Sequence, residues 1–240
     1  MIQRISVINK STVISALDAG RMVAACNTQI AKDVAPAWGR TPIPVTLYAN
    51  ESQAPLNSAK IYIFNDADQP GALGYHTETG GQIWATVFAR TIMSYGCPIL
   101  YNPADRNNLT VSSVLSHEAI ELFINPFVNQ WSDGPPIAEG SEYAFEACDA
   151  VEANVYQVLA QAAKGPQVAV QASVSNFLYP EYFNIDTPSR VKKDHMGLIK
   201  SPYSMTDWGY MIVRSAPGNE TAIFGSKYPD MLKALNEHAK

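Results

Sequence analysis

Residues 110–124 of the 240-residue chain read as one amphipathic helix, and its two faces make opposite demands on the fold. At about 100° per residue, Val111, Leu115, Ala119, Leu122 and Phe123 gather on a face that needs a core to cover it. His117 and Glu121 lie four residues apart, so they stack one turn apart on the other side and can look into a cleft. The chain must therefore build packed layers on one flank of this helix and an opening on the other. Asn125-Pro126 stops it, and Asn107-Asn108 precede it.

The segments before it can supply those layers. Residues 3–9 alternate as a strand, and Ser11 or Thr12 can cap a long helix running to about Val34. Its stripe is Val13, Ala16, Leu17, Ala24 and Ile30, and Pro36 and Gly39 end it. Strands are expected at 43–49, 60–65, 74–77 and 82–89, the last two joined by the turn former Gly80-Gly81. A Pro-, Gly- and Asn/Asp-rich loop runs to Gly140, and a second helix is expected from about Ser141, carrying Glu142, Glu146 and Asp149. Residues 167–177 look extended, 180–204 turn-rich, 208–214 a strand and 228–240 a short helix. The expected class is α+β: a twisted mixed sheet with a long first helix and the motif helix, plus a β-rich C-terminal part. Residues 1–155 and 156–240 are expected to be two subdomains packed as one unit.

Composition narrows the partners. Charged residues make up 16% of the chain, against about a quarter in an average protein, which fits burial in an oligomer or larger assembly. Seventeen basic against 22 acidic residues give a net charge of −5, without any Lys/Arg run, so nucleic acid is not an expected partner. No apolar run is long enough to span a bilayer, and Met1–Val7 has no apolar signal region. The expected location is the cytoplasm, or a virion if the chain is phage-encoded. Cys26, Cys97 and Cys148 are odd in number and unpaired in spacing, and read as buried thiols.

Imidazole and carboxylate both bind zinc, and a catalytic zinc takes three protein ligands and leaves one position open. His117 and Glu121 are two candidates, and Glu118 stands beside them as candidate base on a metal-bound water. On the expected second helix, Glu142, Glu146 and Asp149 are spaced by four and three and share a face. Glu146 is the preferred third ligand. Asp149 is the alternative, or else the carboxylate that orients His117. Glu142, in the first turn, is the least suited. His76 can face the cleft from an edge strand and stabilise an oxyanion, although a half-exposed strand histidine is the plainer reading. His195 reads as a loop residue. Tyr203 or Tyr210 can donate a transition-state hydrogen bond, core or surface packing being their default role. GxxxxGK[ST], GxGxxG and GxSxG are all absent.

Ser116-His117-Glu118-Ala119-Ile120-Glu121 resembles the HExxH helix of zincin metallopeptidases, and Tyr143–Asp149 resembles the glutamate-bearing ligand helix of their gluzincin branch. The resemblance covers roughly residues 1–155. It implies His117 and Glu146 as zinc ligands, Glu118 as base, and a long first helix packed on a sheet. It also implies an edge strand between Gly74 and Ala89 that binds peptide in extended form. The departure is Glu121, where the family has histidine. Two anionic ligands weaken the ion as a Lewis acid. Residues 174–214 loosely resemble uncharacterised phage and bacterial proteins. Two functions follow as expectations: a zinc-dependent hydrolase, specifically a peptidase acting on peptide or protein, or an inactive zincin-like binding or structural module that self-assembles, for example in a phage virion. A metal-free glycosidase using Glu118 and a second-helix carboxylate leaves His117 without a role.

Overall fold

Alternating apolar residues build the first sheet. Ile5–Asn9 (β1), Val45–Tyr48 (β2), Ala59–Phe64 (β3), Gly74–Thr79 (β4) and Gln82–Phe88 (β5) pair in the order β2-β1-β3-β5-β4. The first three and β5 run parallel, and β4 returns antiparallel at the edge. Gly80 and Gly81 close the β4–β5 hairpin at φ 60° and 81°, a two-residue turn with both centres left-handed, which glycine adopts without strain. Ile5, Val7, Ile61, Ile63, Ala85 and Val87 form one buried face of this sheet. The structure is a computed structural model, and it describes residues 2–104, 109–136, 140–166, 168–215 and 219–228.

Helix α1 spans Ala16–Gln29 and runs on through a wide turn at Ile30–Val34 to Ala37. Its cap is Ser15, whose side chain accepts from the Asp18 N–H, not Ser11 or Thr12. Those two are taken by the sheet: the Ser11 hydroxyl and Thr12 N–H both donate to Asn65 Oδ1, at 2.8 and 3.0 Å. A short helix, Ala89–Ser94 (α2), follows β5.

The motif helix is Val111–Ile124 (α3). Thr110 caps it reciprocally with Ser113, each side chain accepting the other's backbone N–H at 2.9 Å. Asn107 and Asn108 lie outside the described residues. Every residue of α3 except His117 is buried, the flank opposite the apolar stripe included. The reason is its serines. Ser112 donates to the Ser173 carbonyl and Ser116 accepts from the Ser175 N–H, both at 2.7 Å, docking a later strand along the polar flank.

That strand is β9. In chain order, the remaining strands are Trp131–Asp133 (β6), Glu142–Ala144 (β7), Val155–Ala160 (β8), Val170–Ser175 (β9), Tyr210–Ser215 (β10) and Asn219–Phe224 (β11). A four-stranded sheet runs β11-β10-β7-β6, and β8 pairs with β9 as a separate antiparallel ribbon. The four-stranded sheet joins strands from both sides of residue 155.

The expected second helix is corrected. Residues 142–144 are strand, and Asp149–Val151 makes a single 3₁₀ turn. Glu142, Tyr143 and Ala144 alternate, and the buried Tyr143 packs with Tyr203 and Val213, so strand periodicity overrides the acidic spacing. Residues past Tyr228 lie outside the described set, as does Gln167, so the C-terminal helix and the start of the 167–177 segment are not described. The class is α+β. No helix among the described residues is long and apolar enough to cross a membrane.

Candidate metal centre

The centre begins at Gly74. A Cβ there would stand 2.7 Å from Glu118 Oε1 and 2.8 Å from the Thr86 carbonyl, so only glycine lets β4 lie this close to α3. Side chains two apart on a strand share a face, so His76 comes down over the same helix. Its side chain is 7% exposed, which corrects the expectation of a half-exposed strand histidine.

From the other side, the chain leaving β7 crosses the C-terminal half of α3. Two hydrogen bonds hold it there: the Cys148 N–H donates to Glu121 Oε1 at 3.1 Å, and Asn125 Nδ2 donates to Glu146 Oε1 at 3.5 Å. The turn at Asp149–Val151 then brings Asp149 and Glu152 to His117. Val128 and Ala153, both lining the cleft, are held at φ 51° and 62°. Such left-handed backbone at a non-glycine residue costs about 1–3 kcal/mol each and marks a site held in shape by its surroundings.

The result is a cleft of about 320 Å³. Glu121 is its centre: Oε2 stands 3.2 Å from His76 Nδ1 and 3.2 Å from His117 Nε2. His117 Nε2 is also 3.2 Å from Asp149 Oδ1. His76 Nδ1 lies 3.6 Å from Glu118 Oε2, and its Nε2 lies 3.6 Å from Glu146 Oε2. Two sets have ligand atoms all within 4.8 Å of one another: His76, Glu121 and Glu146, and His117, Asp149 and Glu152.

All five expected residues, His117, Glu118, Glu121, Glu146 and Asp149, line this one cleft. Glu146, the preferred third ligand, groups with His76 and Glu121, and Asp149, the alternative, groups with His117 and Glu152. Glu142 is elsewhere, on β7, in an ion pair with Arg214 at 2.8 Å. His195 is also elsewhere, stacked on Phe177 at 5.1 Å between ring centres. Tyr210 lines the cleft, whereas the Tyr203 hydroxyl reaches the Asp133 and Phe183 carbonyls at 2.6 and 2.7 Å. The reading from sequence missed Glu152 as a ligand candidate and set His76 aside. The one clue was Gly74, two residues before His76 on an edge strand. All three cysteines are buried and none forms a disulfide.

The cleft is rich in carboxyl groups. Five carboxylates and two imidazoles line the cleft, and among the described residues no lysine or arginine does. Two imidazoles face five carboxyl groups, and uncompensated buried charge is costly. Burial pushes Asp149 up to about 7, with repulsion from Glu121 adding to it. Burial likewise pushes Glu152 up to about 7 against the pull of His117. Burial raises Glu118 and Glu146 too. Burial opposes charge on His76 and His117, but the surrounding carboxylates outweigh it and hold both well above the usual histidine range. Glu121 goes the other way: burial would raise it, yet the two histidines hold it below the usual carboxylate range. His76 Nε2, Glu118 Oε2 and Glu146 Oε2 are buried without any hydrogen-bond partner. Orphaned donors and acceptors of these types, aimed into one space, fit a divalent metal ion.

No protein-family model matches the chain, and neither does any curated protein or solved structure.

Proposed function

We propose that the protein is a zinc-dependent hydrolase of zincin-like plan, acting as a peptidase on peptide or protein. The observation that carries this is the buried set of His76, Glu118 and Glu146 atoms without a hydrogen-bond partner, in a cleft lined by no lysine or arginine among the described residues. Histidines 76 and 117 with Glu121, Glu146, Asp149 and Glu152 supply the ligands. When bound, the ion supplies Lewis acidity and makes a water acidic enough to attack near neutral pH.

Glu118 is the base. It is buried beside the ligands, its Oε2 has no hydrogen bond, and burial raises its affinity for a proton toward the working range of a general base. Tyr210, in the cleft wall, is placed to donate to a developing oxyanion. Substrate docks as an extended strand: β4 is the sheet edge, and Gly74, Tyr75 and His76 line the cleft. The long helix on a sheet whose edge strand borders the cleft supports the zincin resemblance, while the non-helical 142–149 segment departs from it.

Glu118→Gln tests the role directly. It should keep bound zinc and lower the rate of peptide-library hydrolysis by about a hundredfold or more. Hydrolysis indifferent to both Glu118→Gln and a chelator would overturn the reading. The low charge content, 16%, favours a second reading: a zincin-like structural or binding module, such as a virion part, in which the metal only braces β4 against α3. Assembly of such a module would survive Glu118→Gln, and no hydrolysis would be there to lose.

A further inference from the structure

Given that metal-centred reading, on which this rests, we infer that the cleft holds two cations side by side with Glu121 shared between them. His76 and Glu146 complete one position; His117, Asp149 and Glu152 complete the other.

Three observations lead there. The first is spacing. Two ligands bound to one zinc at the tetrahedral angle sit about 3.3–3.4 Å apart. His117 Nε2 stands at such distances from both Glu121 and Asp149, 3.2 Å each, while His76 reaches the same Glu121 oxygen with Nδ1 at 3.2 Å and Glu146 with Nε2 at 3.6 Å, so one of its two nitrogens binds the ion. One carboxylate oxygen therefore stands at ligand distance from two imidazoles, each of which has a carboxylate of its own.

The second is count. A catalytic zinc takes three protein ligands. A single ion on either set would leave four of the seven histidine and carboxylate groups lining the cleft unused, three carboxylates and one imidazole. Two divalent ions nearly balance five carboxylates, take three residues on the His76 side and four on the His117 side when Glu121 is counted in both, and leave Glu118 outside both sets as the base.

The third is the orphaned atoms. Side chains 4–8% exposed carry the unpartnered His76 Nε2, Glu118 Oε2 and Glu146 Oε2, and all lie on the His76 side. An ion on His117 alone would leave them as they are. One imidazole nitrogen would bind the His76-side ion while the other donates to a carboxylate, which fixes the ring. Paired ions about 3.5–4 Å apart can hold both the attacking and the leaving atom of a hydrolysed bond.

The test is zinc per chain in protein purified without chelator, compared with His76→Ala and His117→Ala of native far-UV circular dichroism. The expected result is about two zinc ions in the wild type and about one in each variant. One zinc in the wild type and none in either variant overturns the paired site and leaves the single-metal hydrolase standing. No zinc at all, even after incubation with it, overturns both. Should the variants not fold, wild-type protein saturated with Mn²⁺ decides by electron paramagnetic resonance. A spin-coupled signal supports the pair, and an isolated six-line signal overturns it.

Discussion

Glu121 shows how far a residue's role depends on what is brought to it. Burial alone would protonate it, yet two imidazoles at 3.2 Å keep it ionised, so the most buried carboxylate in the cleft is also its strongest anion. Its neighbours Asp149 and Glu152, pushed to about 7, behave oppositely. A carboxyl whose folded value is raised binds its proton more tightly when folded, so stability falls as pH climbs from about 4 toward 7. Histidines with raised values contribute stability that is full below about 6.5 and lost as pH rises through their folded values. Both act in the same direction. Metal-free protein should therefore melt at progressively lower temperature from pH 5 to 8, and added zinc should recover more of the loss at the upper end, since metal competes with protons. A flat or rising melting temperature would contradict this. Gly74→Ala should cost about 1–3 kcal/mol in urea melts and weaken zinc binding, because its Cβ meets Glu118 and a backbone carbonyl and must push β4 and His76 away. His117, Glu118 and Glu121 were legible from sequence because helix geometry alone puts them together. His76 and Glu152 were not, because their burial is decided by segments distant in sequence, and an isolated histidine on a strand gives no local sign of what will cover it.

At the level of elements, local chemistry spoke clearly wherever one periodicity had no rival. The five strands of the first sheet and both long helices fall close to their expected ranges, and Thr110 supplies the cap of α3. Thr110 is fully buried, so Thr110→Ala should destabilise the fold by about 1–2 kcal/mol through loss of the cap, measurable by denaturant titration. The segment from Ser141 to Asp149 failed for an identifiable reason. Acidic residues at four and three spacing suggest a helix face, but they say nothing about an apolar stripe, and the large buried aromatic there, Tyr143, alternates as in a strand. Glu142 consequently points to Arg214 and away from the cleft. Glu142→Ala should leave zinc content unchanged and shift stability by less than about 1 kcal/mol, as expected of a half-exposed ion pair. Loss of zinc in that variant would contradict the placement of β7.

Across the whole molecule, the cleft is where separate layers meet. The first sheet contributes His76, α3 contributes His117, Glu118 and Glu121, the connection between β7 and β8 contributes Glu146, Asp149 and Glu152, and the four-stranded sheet contributes Tyr210. Ions bound as proposed would bind only the assembled arrangement and so would stabilise the entire fold by mass action, by about 4 kcal/mol at a thousandfold excess over the dissociation constant. Chelator should lower the melting temperature in one cooperative transition, not as a separate early event. The central claim, that this junction is a metal centre, is met most directly by anomalous diffraction at the zinc edge from crystals of unchelated protein. The account predicts anomalous density inside the cleft, in two peaks flanking Glu121. A cleft without any anomalous peak, even in crystals soaked in zinc, would contradict it.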